Sequence, residues 1–287
     1  MNKNTKGLIY VLICVFLWSL IPVVSRLGQQ ELDNFQFLFW SSLLSFLVIG
    51  SSTLFTKKYK VLTTYKKIDY LKLATLGFLG AFLYYLLLYF GYANGNGLEV
   101  LTMQYTWPIF IVVLSFLILG EKQSLRNIIA ILLGFVAILL IITKGNITSI
   151  EFSGIGTMLI VLVGALSFAL FSVLSKKFDY EPYSSTSIFF LSATVFSCVS
   201  MFMFSEFTTP SIKELPSVIL NGVLINGYSY ILWLLALKHA RASFLAPFVF
   251  LTPIISTILL LVIFQEPFLP IYGVGLILIV ASGLLAK

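Results

Sequence analysis

Ten apolar stretches of membrane-crossing length run through this chain, at about residues 7–25, 35–55, 73–92, 98–119, 125–143, 154–175, 184–205, 216–237, 242–264 and 267–286. A bilayer's hydrocarbon core is about 30 Å thick, so a spanning helix needs roughly 20 mostly apolar residues. Lipid offers the backbone no hydrogen-bond partners, so only helices and closed barrels cross it. The stretches are continuous rather than alternating, which selects helices. The expected fold class is all-α integral membrane, with ten transmembrane helices. Composition agrees: charged residues make up 10%, against roughly 25% in soluble domains.

The charges that remain are unevenly placed. With the N-terminus in the cytoplasm and sides alternating, 15 of the 18 Lys and Arg residues fall on the cytoplasmic side. Only Arg26, Lys144 and Lys213 fall outside. The positive-inside rule favours this arrangement, with both termini cytoplasmic in a multi-pass cell-membrane protein. The same distribution turns the net charge of +7 into an orientation signal rather than a nucleic-acid surface. The first stretch lacks a small-x-small cleavage site, so a retained helix is expected. Cys14 and Cys198 sit inside apolar runs and read as packing residues.

The two halves resemble each other. Pro108 and Glu121 pair with Pro253 and Glu266 at an offset of 145 residues, and the same offset pairs Tyr85 with Tyr230. At an offset of 150, Trp18 meets Phe168 and Arg26 meets Lys176. Residues 1–146 and 147–287 are thus expected to be two five-helix repeats. Five is odd, so the second copy enters the membrane inverted. Inverted repeats let one fold open to either side by exchanging two near-equivalent conformations.

Trp18-Ser19 with Arg26, the run Tyr92–Lys122 containing Gly97-Leu98-Glu99-Val100 and Tyr105-Thr106-Trp107-Pro108, and their second-half counterparts at 236–240 and Thr252-Pro253 carry a family likeness. On these residues the chain resembles the EamA family of the drug/metabolite transporter superfamily. Glu99 and the Tyr-Thr-Trp-Pro run resemble its aromatic amino-acid exporter branch. Gln104 before Tyr105 and Phe268-Leu269-Pro270 after the second-half Glu depart from that pattern. The resemblance implies ten helices, inverted repeats and efflux of an amino acid or similar metabolite.

Polar and aromatic side chains at mid-span are cheapest beside a solute cavity. Asn226, Tyr230 and Trp233 form one helical stripe, and Tyr85 and Tyr89 form another. Trp18 in the first stretch and Met103, Gln104 and Trp107 in the fourth complete a candidate substrate-binding set. Rings of this kind pack on an amphipathic solute or hold an ammonium by a cation–π contact of about 0.5–2 kcal/mol. The same residue types also mark membrane interfaces and fill helix gaps. Arg26 and Glu99 are the candidate gate or coupling pair, and Glu99 is the one candidate for proton coupling. Pro108 and Pro253 are expected mid-helix, as bends and hinges.

No catalytic set emerges. His239 stands alone at a helix end, and no acidic pair or Cys pair makes a metal site or a nucleophile–base pair. A phosphate-binding Gly-rich loop is missing from the sequence. The reading is a secondary transporter without cofactor, whose partners are a small-molecule substrate and the lipid bilayer. Multidrug or hydrophobic-cation efflux is the first alternative, and an intramembrane lipid-modifying enzyme the second.

Overall fold

The computed structural model describes residues 2–94, 100, 103–143, 145, 146, 148, 154–264 and 269–285, and the regular structure among them is entirely helical. Among the described residues, six helices are long and apolar enough to cross a membrane: Lys3–Gly28, Asn34–Phe55, Lys67–Leu88, Ile155–Phe178, Pro182–Phe204 and Leu215–His239. Four shorter apolar helices, Trp107–Leu119, Leu125–Leu140, Ala242–Ser256 and Gly273–Ser282, lie on other apolar stretches of the sequence.

Local chemistry explains where several helices begin. Asp33 accepts from the Gln36 amide at 2.9 Å, and the Gln36 side chain accepts from the Asp33 amide at 2.9 Å. This reciprocal capping box starts helix Asn34–Phe55. Glu181 accepts from the Ser184 amide at 2.8 Å at the start of Pro182–Phe204.

Three stretches expected as continuous helices are broken. The first divides at Leu20 into Lys3–Ser19 and Ile21–Gly28, with Pro22 in the first turn of the second piece. The fourth turns at Tyr105–Thr106 before Trp107–Leu119, and the ninth turns at Phe250, after Pro247. These breaks correct the expectation for the two prolines. Pro108 is the second residue of its helix and Pro253 the third residue of Leu251–Phe264. Amides of a first turn have no intrahelical acceptor, so proline costs no hydrogen bond there.

Two departures fall at matching places. Phe78–Leu83 is π-helical, and so is Asn221–Tyr228. Shifting the first by 145 residues lands on 223–228, inside the second. A π turn leaves carbonyls open to outside donors. Gly80 O and Ile225 O, which share that offset, each accept from a side-chain hydroxyl, Tyr230 and Ser229 respectively.

Hydrogen bonds tie loops together at two ends. At one, Lys58, Asp69, Glu121, Tyr180, Glu181 and the turn at Ala240 meet through hydrogen bonds. This is the lysine-rich end. At the other, Glu214 accepts from the Glu31 and Leu32 amides, and the Gln36 side chain donates to Glu206 O. Between them lies a core of apolar side chains and small residues. Gly77 shows how close the helices come: a Cβ there would sit 2.5 Å from Phe189 Cα. Such backbone approach replaces the hydrophobic drive that lipid cannot supply.

Candidate functional site

Three tryptophans from three separate helices meet in the interior. Trp18 lies 5.4 Å from Trp233 and 6.1 Å from Trp107, and Trp107 lies 5.9 Å from Trp233, ring centroid to centroid. Phe168 closes the group at 5.8 Å from Trp18 and 5.0 Å from Trp107. Most of these pairs are edge-to-face, the arrangement favoured by ring quadrupoles. All four rings are buried. The segments that supply them, 7–25, 103–119, 155–175 and 216–237, contain no charged residue.

Two of the three indole N–H groups donate to a serine hydroxyl. Trp18 Nε1 donates to Ser229 Oγ at 2.8 Å, and Trp233 Nε1 donates to Ser172 Oγ at 3.0 Å. The Ser229 hydroxyl in turn donates to Ile225 O in the π segment, and Cys14 Sγ donates to Ser229 O at 3.4 Å. The cluster is therefore keyed to the π segment of the same helix that carries Trp233.

Tyrosines extend the group. Tyr230 is fully buried, donates to Gly80 O at 2.7 Å, and packs against Phe171 and Phe190. Tyr85 is buried against Tyr84, whose hydroxyl accepts from Gln104 Nε2 at 2.8 Å. Met103 is half-buried against the same core. Asn226 is 2% exposed, and its Oδ1 has no hydrogen-bond partner among the described residues.

The structure thus brings together Trp18, Trp107, Tyr230 and Trp233, with Tyr85 and Gln104 linked through Tyr84 and Phe168. The Tyr89 side chain and Glu99 lie outside the described residues. Arg26 is exposed in the last turn of Ile21–Gly28, at the end away from the lysines. Phe168, Tyr84, Ser172 and Ser229 are missing from the sequence-derived set. The pairing of Phe168 with Trp18 at the 150-residue offset was the available signal for the first. A serine opposite an indole leaves no comparable mark.

At the lysine-rich end a second polar group forms. Glu121 accepts from the Ala242 and Ser243 amides, each at 3.1 Å, and from Ser243 Oγ at 2.7 Å. Lys176 donates to Leu237 O and, at 2.6 Å, to Ala240 O. A cavity of about 490 Å³ opens beside them, lined also by Lys177, Asp179 and Lys238. Lys238 and Asp179 form an ion pair at 3.2 Å. Among the described residues, no group of three or more His, Cys, Asp or Glu side chains is placed to hold a metal.

Known proteins resemble the chain along its whole length. The model of the EamA-like transporter family matches twice, at residues 5–143 and 155–286. The S-adenosylmethionine uptake transporter of Rickettsia prowazekii is 26% identical over 269 residues, which cover 88% of this chain and 84% of that protein. An uncharacterized transporter of Archaeoglobus fulgidus is 22% identical over 89% of this chain and 88% of its own. An uncharacterized transporter of Bacillus subtilis is 26% identical over 63% of this chain and 61% of its own. A crystal structure superposes with a TM-score of 0.88 over 99% of this chain and 96% of that one, at 18% identity, and so shares the fold. With the family model matched across both halves, the protein belongs to the EamA-like transporter family and is a multi-pass membrane transporter.

Proposed function

We propose that this transporter moves a small amphipathic metabolite, an amino acid or close derivative, outward across the cytoplasmic membrane by alternating access. The observation that carries the reading is the tryptophan cluster of Trp18, Trp107 and Trp233, buried where charge-free segments of both halves meet. Ring faces attract an ammonium without a fixed carboxylate, at about 0.5–2 kcal/mol per contact. They also pack on the apolar side chain of the same solute. Asn226 adds an acceptor with no partner among the described residues, which suits an N–H donor.

The architecture in this reading is ten crossings in two inverted five-helix repeats, 1–146 and 147–287. The double family match and the paired π segments support it. The lysine-rich end is the cytoplasmic one, by the positive-inside rule. Arg26 and Glu99 remain the candidates for an outer gate, and Pro108 and Pro253, each just after a helix break, for hinges.

A second reading is inward transport of a sulfonium-bearing amino acid. The relative named as an S-adenosylmethionine uptake transporter favours it, and ring faces hold a sulfonium as they hold an ammonium. Flux assays on purified protein in liposomes separate the two. The account expects saturable flux of at least one labelled amino acid, with S-adenosylmethionine as a parallel arm. Flux of hydrophobic dye cations but of neither amino-acid class would replace both readings.

A further inference from the structure

The turn Ala240–Arg241 joins helix Ser229–His239 to helix Ala242–Val249 at the lysine-rich end. A helix C-terminus presents free carbonyls and negative charge, and an N-terminus presents free amides and positive charge. Both kinds of end lie side by side here. The sequence provides no local cap for the second helix, since Arg241 occupies the N-cap position and its side chain makes no capping bond. Each end is completed from elsewhere. Lys176, in the last turn of Ile155–Phe178, donates to Leu237 O and Ala240 O. Glu121, just past the end of Trp107–Leu119, accepts from the first two amides of Ala242–Val249. Gly120, at φ 65, turns the chain so that the Glu121 carboxylate reaches back.

Two charges from different helices thus hold one turn from its two sides, and the hold crosses the boundary between the halves. The helices they join lead inward to the site. Trp233 lies one turn before Leu237, and Trp107 begins the helix that Glu121 follows. The chain's first helix presses on the same turn, where Gly7 faces Ala240 so closely that a Cβ would lie 2.7 Å from it.

We infer that Glu121 and Lys176 are the cytoplasmic gate latch, and that both must release the 240–243 segment before the tryptophan cluster is reached from that side. The chemistry fits a gate rather than a permanent staple. When shut, Glu121 is buried and Lys176 half-buried, and oriented backbone dipoles satisfy both. When released, they turn fully into the open cavity of about 490 Å³ that both already line, where water repays the lost bonds. A purely apolar seal has no such compensation at the polar surface of a membrane.

This inference rests on the alternating-access reading, and its test separates the two. The protein is studied whole, in membrane vesicles, with Cys14→Ser and Cys198→Ser. One reporter cysteine replaces Ile111, which is fully buried between Trp107 and the latch. In a parallel protein the reporter replaces Ser25, toward the opposite end. The probe is a membrane-impermeant maleimide applied from each side.

Glu121→Gln and Lys176→Gln are each expected to raise cytoplasmic labelling at Ile111→Cys about fivefold or more. Labelling at Ser25→Cys from outside should fall in step. A rise at the first reporter with no change at the second keeps the latch and overturns alternating access. Unchanged labelling at the first in both variants overturns the latch. If Glu121→Gln misfolds, Arg241→Asp is added, which gives helix Ala242–Val249 a carboxylate at its own N-cap. Stability restored with labelling still high identifies a latch. Labelling that returns to the parent level identifies a mere helix cap and overturns the inference.

Discussion

The Tyr230 hydroxyl, on a helix of the second half, donates to the Gly80 carbonyl in the π segment of the first, at 2.7 Å and out of reach of water. The bond closes a gap that the π turn itself opens. A carbonyl freed from its helix in a dry interior needs another donor, and a tyrosine from the facing half supplies it. Tyr230→Phe keeps the ring packing and removes the donor. The expected loss is about 1–3 kcal/mol, the cost of an unsatisfied buried acceptor. Thermal unfolding of the purified variant in detergent measures it. An unchanged unfolding temperature would show that the π segments are satisfied without this link.

Close backbone packing gives a second prediction. A methyl at Gly77 would meet the Phe189 backbone at 2.5 Å, and backbone has no rotamer to yield. Gly77→Ala is therefore expected to destabilise by about 1–3 kcal/mol, as overpacking does. Gly273→Ala meets nothing within 4 Å and should be neutral or slightly stabilising. Equal unfolding temperatures for the two variants would contradict the close approach of Lys67–Gly77 to Pro182–Phe204.

Glu214 links two loops at the end away from the lysines. Burial pushes its carboxyl pKa up, but the Ser211, Glu31 and Leu32 amides that donate to it outweigh burial and hold it below the ordinary carboxylate value. A depressed folded-state pKa stabilises at pH values above the unfolded one, and the gain disappears as pH falls through the folded value. Glu214→Gln should thus unfold more readily than the parent at neutral pH, by about 2 kcal/mol. The difference should shrink steadily in acid. A gap that is constant with pH would show that the carboxylate charge is irrelevant there.

That the chain is an all-helical membrane protein is visible in the amino-acid sequence because lipid imposes a length rule on each segment separately. The aromatic stripe through Asn226, Tyr230 and Trp233 is readable from helical spacing alone, and the structure buries all three. The partners are not readable. Ser172 and Ser229 are ordinary small residues until an indole lies opposite, and that requires knowing which helices pack. The π segments escape notice for a related reason: one inserted residue shifts helical phase without changing composition. Pro108 and Pro253 mark bends one step off, because the break precedes each proline rather than occurring at it. Glu121 and Lys176 look like ordinary end-of-span charges. Their role depends on a turn more than 60 residues further along the chain.

The central claim is that the solute rests on the buried tryptophan cluster between the halves. Side-by-side flux of the transported amino acid by Trp233→Ala and Trp40→Ala in liposomes tests it most directly. Trp40 is a fair control, since its Nε1 donates to Thr208 O near the surface, away from the cluster. The account predicts flux lost in Trp233→Ala and kept in Trp40→Ala, with both proteins folded. Equal flux in the two would contradict it.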